Sequence, residues 1–270
     1  MGLWGYRRIL WAVVLFCLSL TQPCVFAQSG EETGFLNRIV SVEGHEFRYQ
    51  VYIPSSYSSS QLWPVIMFLH GSGEGGNDGL AQTQVGLGAA IRLNPLRYPV
   101  IAVFPQAPMD SLWVGVSARA AMAALERTMH EFRTDSNRVY LTGLSIGGNG
   151  TWYLAFRYPT KFAAVVPVCG WVVPFDDPEI LNSERVVPGD TVAPFQTLAR
   201  RFGSLPVWIF HGEEDHSVPV GQSRQAAAAL REAGVPVIYT ELPGTGHNAW
   251  DAAYGSTKFA EWLFAQRRRR

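Results

Sequence analysis

Short, continuous apolar runs alternate with amphipathic stretches along most of this chain. PVIMFLHG (64–71), PVIAVFPQ (99–106), RVYLTG (138–143), FAAVVPVCG (162–170), LPVWIFHG (205–212) and VPVIYTELPG (235–244) each hold three or more apolar residues in a row. Runs of that length, bounded by glycine or proline, predict strands buried on both faces. Helical periods fall between them: 81–93, 117–132, 147–158, 223–234 and 255–266. The second is the clearest, with a serine start and Leu125, Met129 and Phe132 on one face. Ahead of the first buried run, NRIVSVEGHEFRYQVYIP alternates apolar and polar residues on both sides of Glu43-Gly44, which predicts a hairpin. The pattern as a whole predicts an α/β protein: a mostly parallel, doubly wound sheet with an N-terminal antiparallel hairpin and right-handed crossovers. No repeat or linker divides it. The stretch from Trp171 to Arg201 is rich in proline and acid and shows no clear period. It is expected to be an excursion over the sheet, where a lid or substrate wall could sit.

The N-terminus departs from the pattern. Arg7 and Arg8 precede the apolar run ILWAVVLFCLSL, which is short for a membrane span, and a polar break follows with small or β-branched residues at Val25 and Ala27. This reads as a signal peptide over 1–27, cut after Ala27, leaving one domain over 28–270. The location expected is secreted or periplasmic, with no stable membrane association after cleavage; a retained N-terminal anchor is the alternative. Cys17 and Cys24 leave with the leader, so Cys169 alone remains. A single cysteine forms no internal disulfide, and its apolar run reads as a buried thiol.

Composition adds exclusions. With 22 Lys and Arg against 22 Asp and Glu, the chain lacks the basic excess that nucleic-acid binding requires. The terminal run Arg267 to Arg270 reads as a solvated tail. No CxxC or HExxH spacing occurs, so neither a metal nor a cofactor is expected.

The candidate chemistry begins at GLSIG (143–147), between a buried run and a helical period. A serine between two glycines on a strand-to-helix turn fits a nucleophile elbow. The small residues make room for the sharp turn, and Ser145 is lifted to the carboxyl edge of the sheet. The helix start supplies free amides for an oxyanion, of which Ile146 is the first. A serine hydroxyl needs a base, and the base a carboxylate to orient it. Three histidines follow Ser145: His211, His216 and His247. His247 lies in a glycine-rich loop, LPGTGHNAW, after the last strand, and is the candidate base. Glu213, Glu214 and Asp215 compete for the acid in HGEEDHSVP; Asp215, at the loop apex, is the candidate and the glutamates are expected to face solvent. The loop HGSGEGG after the first buried run offers the Ser72 amide as a second oxyanion donor, with His70 in a structural role. It lacks the G-K-[ST] ending of a phosphate loop. Trp113, Trp171 and Trp250 border these loops and are candidates for lining a substrate; each is equally open to a packing role.

LHGSGEGG, the FPQAP stretch ending in Trp113, VYLTGLSIGGNGTWYLAFRYPTKFAAVVPVCG, HGEEDHSVP and GTGHNAW together resemble the α/β-hydrolase superfamily over about residues 36–266. Within it they resemble the secreted branch that groups predicted peptidases with feruloyl, acetyl and polyhydroxybutyrate-type esterases. The resemblance implies Ser145 as nucleophile, Asp215 as acid and His247 as base. It implies a small-molecule or polysaccharide-linked ester as substrate, cleaved through an acyl-enzyme. A small-peptide serine peptidase on the same residues is one alternative, and a non-catalytic binding module on a hydrolase fold is another.

Overall fold

The computed structural model describes residues 1, 32–175, 181, 183–189 and 192–268. The chain divides into two compact units, 1–30 and 31–270. All described residues but Met1 belong to the second, so the expected leader lies outside the described residues. No helix among the described residues is long and apolar enough to cross a membrane.

Eight strands form one sheet in the order β1-β2-β4-β3-β5-β6-β7-β8. They are β1 Gly34–Val42, β2 His45–Ile53, β3 Trp63–Leu69, β4 Ile101–Pro105, β5 Thr134–Leu144, β6 Ala164–Val168, β7 Val207–Gly212 and β8 Val237–Leu242. The hairpin lies where the alternation placed it: β1 and β2 pair antiparallel from Gly34 opposite Ile53 to Val42 opposite His45, around Glu43 and Gly44. β2 is antiparallel to β4, and every later pairing is parallel.

The seven helices among the described residues are α1 Leu87–Leu93, α2 Gly115–Glu131, α3 Ile146–Arg157, α4 Pro194–Phe202, α5 Gly221–Glu232, α6 Trp250–Gly255 and α7 Thr257–Ala265. Strand alternation sorts the core into two layers. Val65, Met67 and Leu69 of β3 pack in one cluster with α2, α3, α4 and α5. Ile66 and Phe68, pointing the other way, pack in a second cluster with α1, α6 and α7. β3, β4 and β6 are buried along their whole lengths, which is why their sequences read as continuous apolar runs.

Two expectations need correction. The stretch 171–201 is not without period: α4 occupies its end, with Pro194 in the first turn and Phe195, Leu198, Ala199 and Phe202 buried. That is an i, i+3, i+4, i+7 stripe behind an N-terminal proline, a short but readable helix signal. The start of the stretch is tied down, because the Gln222 side chain accepts from the amides of Val172 and Val173 and donates to the carbonyl of Val173. The arginine tail is also docked at its start. The Arg268 amide donates to Asn137 O at 2.9 Å, and its guanidinium to Thr160 O at 3.1 Å.

β3 and β5 are adjacent at the centre of the sheet, while the chain reaches β4 on one side and β6 on the other. Connections leave in opposite directions from this point, which opens a crevice at the carboxyl ends of the strands. The loops after β3, β5, β6, β7 and β8 all open at that edge.

Candidate active site

Ser145 follows β5 directly and caps α3, with φ 54° and ψ −118°. A side chain at positive φ is strained by about 1–3 kcal/mol. The surroundings hold it there: the Ser145 amide donates to Val168 O at 3.0 Å, and its carbonyl accepts from the Asn149 amide at 3.0 Å. The flanking glycines explain themselves by contact. A Cβ on Gly143 would stand 2.3 Å from the Gly147 carbonyl oxygen, so the turn closes only if both residues are bare. Ser145 is left half-buried at the sheet edge.

Ser145 Oγ lies 2.9 Å from His247 Nε2, and His247 Nδ1 lies 2.7 Å from Asp215 Oδ2. The three side chains come from loops after β5, β7 and β8. The acid and base loops are joined by the Glu214 amide, which donates to Thr245 O at 2.9 Å. They approach so closely that a Cβ on Gly212 would stand 2.0 Å from Gly246 O. Among the three competing acids, Asp215 is buried and Glu213 and Glu214 are exposed. Asp215 Oδ1 accepts the amides of Ser217 and Val218 at 2.8 and 2.9 Å. Burial works to raise its pKa, but hydrogen bonds from His211, His247 and the Val218 amide outweigh it and hold the carboxyl well below its usual range. The aspartate is therefore ionised at neutral pH, and His247 Nδ1 is the protonated nitrogen that faces it. Nε2 is then free to accept from the serine hydroxyl.

The loop after β3 carries Ser72, the second candidate oxyanion donor. His70 is fully buried. Its Nδ1 donates to Gly71 O at 2.6 Å and its Nε2 accepts from the Ala107 amide at 3.0 Å. Burial lowers its pKa to about 4, against a smaller opposing effect of the Gly71 bond. A neutral, doubly bonded ring braces the loop, the structural role expected for it. The Gly71 amide is taken by the Glu74 carboxylate at 3.0 Å. Ser72 opens the 3-10 turn Ser72–Glu74 and Ile146 opens α3, so neither amide has an acceptor within its own turn. Gly71 is a close neighbour of Ser145: a Cβ there would stand 3.8 Å from Ser145 Cβ and 3.2 Å from Glu74 Oε2.

The tryptophans separate. Trp113 is 1% exposed, its indole donating to His70 O at 3.0 Å. It is core that supports the loop, and it offers no open face to a substrate. Trp171 is also buried, packed edge-on against Phe175 and in a small cluster with Val218, Leu112 and Ile146. Trp250 is half-buried, its ring edge-on to His247 at 5.4 Å between centroids. Of these three, Trp250 is the one whose ring packs against a side chain of the candidate triad.

Two residues were missed in the sequence. Glu74 lay unremarked inside a loop singled out for its glycines. His211 was named only as one of three histidines after Ser145, yet its Nε2 lies 3.1 Å from Asp215 Oδ2. Among the described residues, donor atoms of Cys169, Asp215 and His247 lie within 4.8 Å of one another. The last two already bond each other, an arrangement suited to proton transfer more than to a cation. Cys169 is fully buried, and burial pushes its thiol well above the ordinary range.

A mixed, mostly parallel eight-stranded sheet with a serine elbow at its centre defines a member of the α/β-hydrolase superfamily. More narrowly, the chain belongs to the prolyl oligopeptidase family, whose profile matches residues 109–266, a span that includes Ser145, Asp215 and His247 but not the Ser72 loop. A protein of Arthroderma benhamiae described as an uncharacterized secreted protein is 33% identical over 115 residues, 40% of this chain and 12% of that one. An acyl-protein thioesterase 1 of Gibberella zeae is 31% identical over 112 residues, 42% of each chain. The chain thus spans less than half the length of these two relatives. A solved structure of a thermostable esterase superposes with a TM-score of 0.72 at 30% identity, over 87% of this chain and 63% of that one.

Proposed function

We propose that this chain is a secreted serine hydrolase that cleaves carboxylic esters through an acyl-enzyme on Ser145. The observation that carries the reading is the hydrogen-bonded line from Ser145 Oγ through His247 to Asp215, at 2.9 and 2.7 Å, on a strained elbow. His247 Nε2 takes the serine proton as Oγ attacks the carbonyl carbon. Asp215 holds the imidazole and offsets its positive charge. The carbonyl oxygen becomes an oxyanion facing the amides of Ile146 and Ser72. His247 then protonates the departing alkoxide, the C–O bond breaks and the acyl group stays on Ser145. Water, deprotonated by His247, attacks that acyl group and releases acid and free serine.

An ester is favoured by the esterase structure and the thioesterase relative, with polysaccharide-linked acyl groups as the finer expectation from the secreted esterase branch. Secretion is supported by the leader-like pattern over 1–27 and by the secreted relative. A peptidase acting on small peptides is the second reading, favoured by membership of the prolyl oligopeptidase family. Competing p-nitrophenyl acetate against alanine p-nitroanilide separates the two. Turnover of the acetate well above the anilide is expected. Anilide turnover with negligible ester turnover would overturn the ester assignment in favour of the peptidase.

A further inference from the structure

Asp215 is held between two histidines. His247 Nδ1 lies 2.7 Å from Oδ2 on the solvent side, and His211 Nε2 lies 3.1 Å from the same oxygen on the buried side. The contacts around His211 fix its tautomer. Nε2 also lies 3.1 Å from the carbonyl oxygen of Val218. A carbonyl and a carboxylate only accept, so Nε2 carries the proton. Nδ1 is then the acceptor for the Ser223 hydroxyl, 2.7 Å away. Ser223 is buried in the first turn of α5, so the ring is anchored from behind by a helix.

We propose that His211 is a positioning residue whose Nε2–H restrains the Asp215 carboxylate, keeping Oδ2 aimed at His247 Nδ1. The proposal rests on the reading of Ser145, His247 and Asp215 given above. A carboxylate torsion is broad and soft, and an aspartate can turn away from its histidine unless both oxygens are engaged. Here Oδ1 takes the amides of Ser217 and Val218, and Oδ2 takes the two imidazoles, which fills the acceptor capacity of the group. Without His211, Oδ2 would be held only by His247, whose side chain is 25% exposed. A histidine needed for packing alone would be satisfied by Val218 and Ser223. Instead its donor is shared with the acid of the candidate triad. Ser223, His211, Asp215, His247 and Ser145 thus form one continuous line of polar contacts from α5 to the candidate nucleophile.

The test measures kcat and KM for p-nitrophenyl acetate in the full chain and in His211→Leu, His211→Gln and Ser223→Ala, with thermal midpoints alongside. Leucine keeps bulk and removes the donor; glutamine restores an N–H near the Nε2 position. In His211→Leu, kcat is expected to fall about tenfold to a hundredfold, the loss of one hydrogen bond to a charged group, at nearly constant KM. His211→Gln is expected to recover most of it. Ser223→Ala, which keeps the ring and its Nε2 proton but removes the anchor on Nδ1, is expected to lose about threefold to tenfold in kcat. A folded His211→Leu with unaltered kcat overturns the proposal, as does an equal loss in the leucine and glutamine variants. Should the leucine variant fail to fold, Ser223→Ala decides, and unaltered kcat there overturns it. Ser145→Ala separates the two levels: if it still hydrolyses the ester, the functional reading itself falls. If it is inactive while His211→Leu is unimpaired, only the positioning role falls.

Discussion

Gly147 meets Leu69 with no room for a methyl group: a Cβ at Gly147 would stand 2.0 Å from the Leu69 carbonyl oxygen and 2.7 Å from that of His70. Both obstacles are backbone at the end of β3, so neither can rotate away. Helix α3 is therefore pressed against the strand whose following loop carries Ser72, and elbow and oxyanion loop are set by one contact. Gly147→Ala is expected to destabilise the fold by about 3 kcal/mol or more, as overpacking against backbone does. A urea denaturation midpoint close to that of the unaltered chain would show that this contact is not a constraint.

Ser145 holds its conformation at a cost to stability. Its φ of 54° lies where glycine is at ease and serine is not. Ser145→Gly is expected to abolish ester hydrolysis and to stabilise the fold by about 1 kcal/mol, by release of strain. Calorimetry of the two proteins checks it. A lower thermal midpoint in the glycine variant would mean the elbow is not strained in the way its backbone angles imply.

Glu74 acts through the loop it caps. Its carboxylate binds the Gly71 amide beside Ser145, and burial, against two backbone bonds, raises its pKa above the usual carboxylate value. Glu74→Ala leaves that amide without its partner and frees the Ser72 turn. A loss of about tenfold in kcat is expected, the scale of one cap interaction. Glu74→Gln retains an acceptor and is expected to lose less. Equal rates in all three proteins would remove Glu74 from the account.

The fold announced itself where burial is simple. β3, β4 and β6 are sealed on both faces, so their apolar runs needed no context, and Glu43-Gly44 marked the hairpin because only that turn joins two alternating strands. The elbow was legible because its glycines answer to local backbone clashes. What stayed hidden depends on how the chain folds back. His211 precedes Asp215 by four residues, and only the curl of the loop after β7 turns its ring onto the carboxylate. Trp113 reads like a surface aromatic beside a loop, yet it is buried and its indole N–H donates to the His70 carbonyl at the start of the β3 loop. The order of β3 and β4 within the sheet leaves no trace in either strand's composition.

Asp215 gives stability a dependence on pH with a defined sign. Its folded pKa is depressed relative to an unfolded value of about 3.9. Its contribution is fully present above that value and is lost as pH falls through the folded pKa. The difference in thermal midpoint between the unaltered chain and Asp215→Asn is therefore expected to be at its full value above about pH 5 and to shrink below about pH 4. A difference that stays constant from pH 6 to 3 would show that the aspartate is not held as the hydrogen bonds imply.

Cys169 lies within 4.8 Å of Asp215 and His247, so any covalent probe of the site has two conceivable targets. The cysteine is fully buried and its thiol is pushed up by burial, so under the proposed mechanism Ser145 is the residue expected to react. The most direct measurement is labelling of the native protein with a fluorophosphonate, followed by peptide mass spectrometry. A single adduct on Ser145, with loss of ester hydrolysis in proportion to labelling, is the result predicted. Full labelling of Ser145 with hydrolysis undiminished, or loss of activity with the adduct elsewhere, would contradict it.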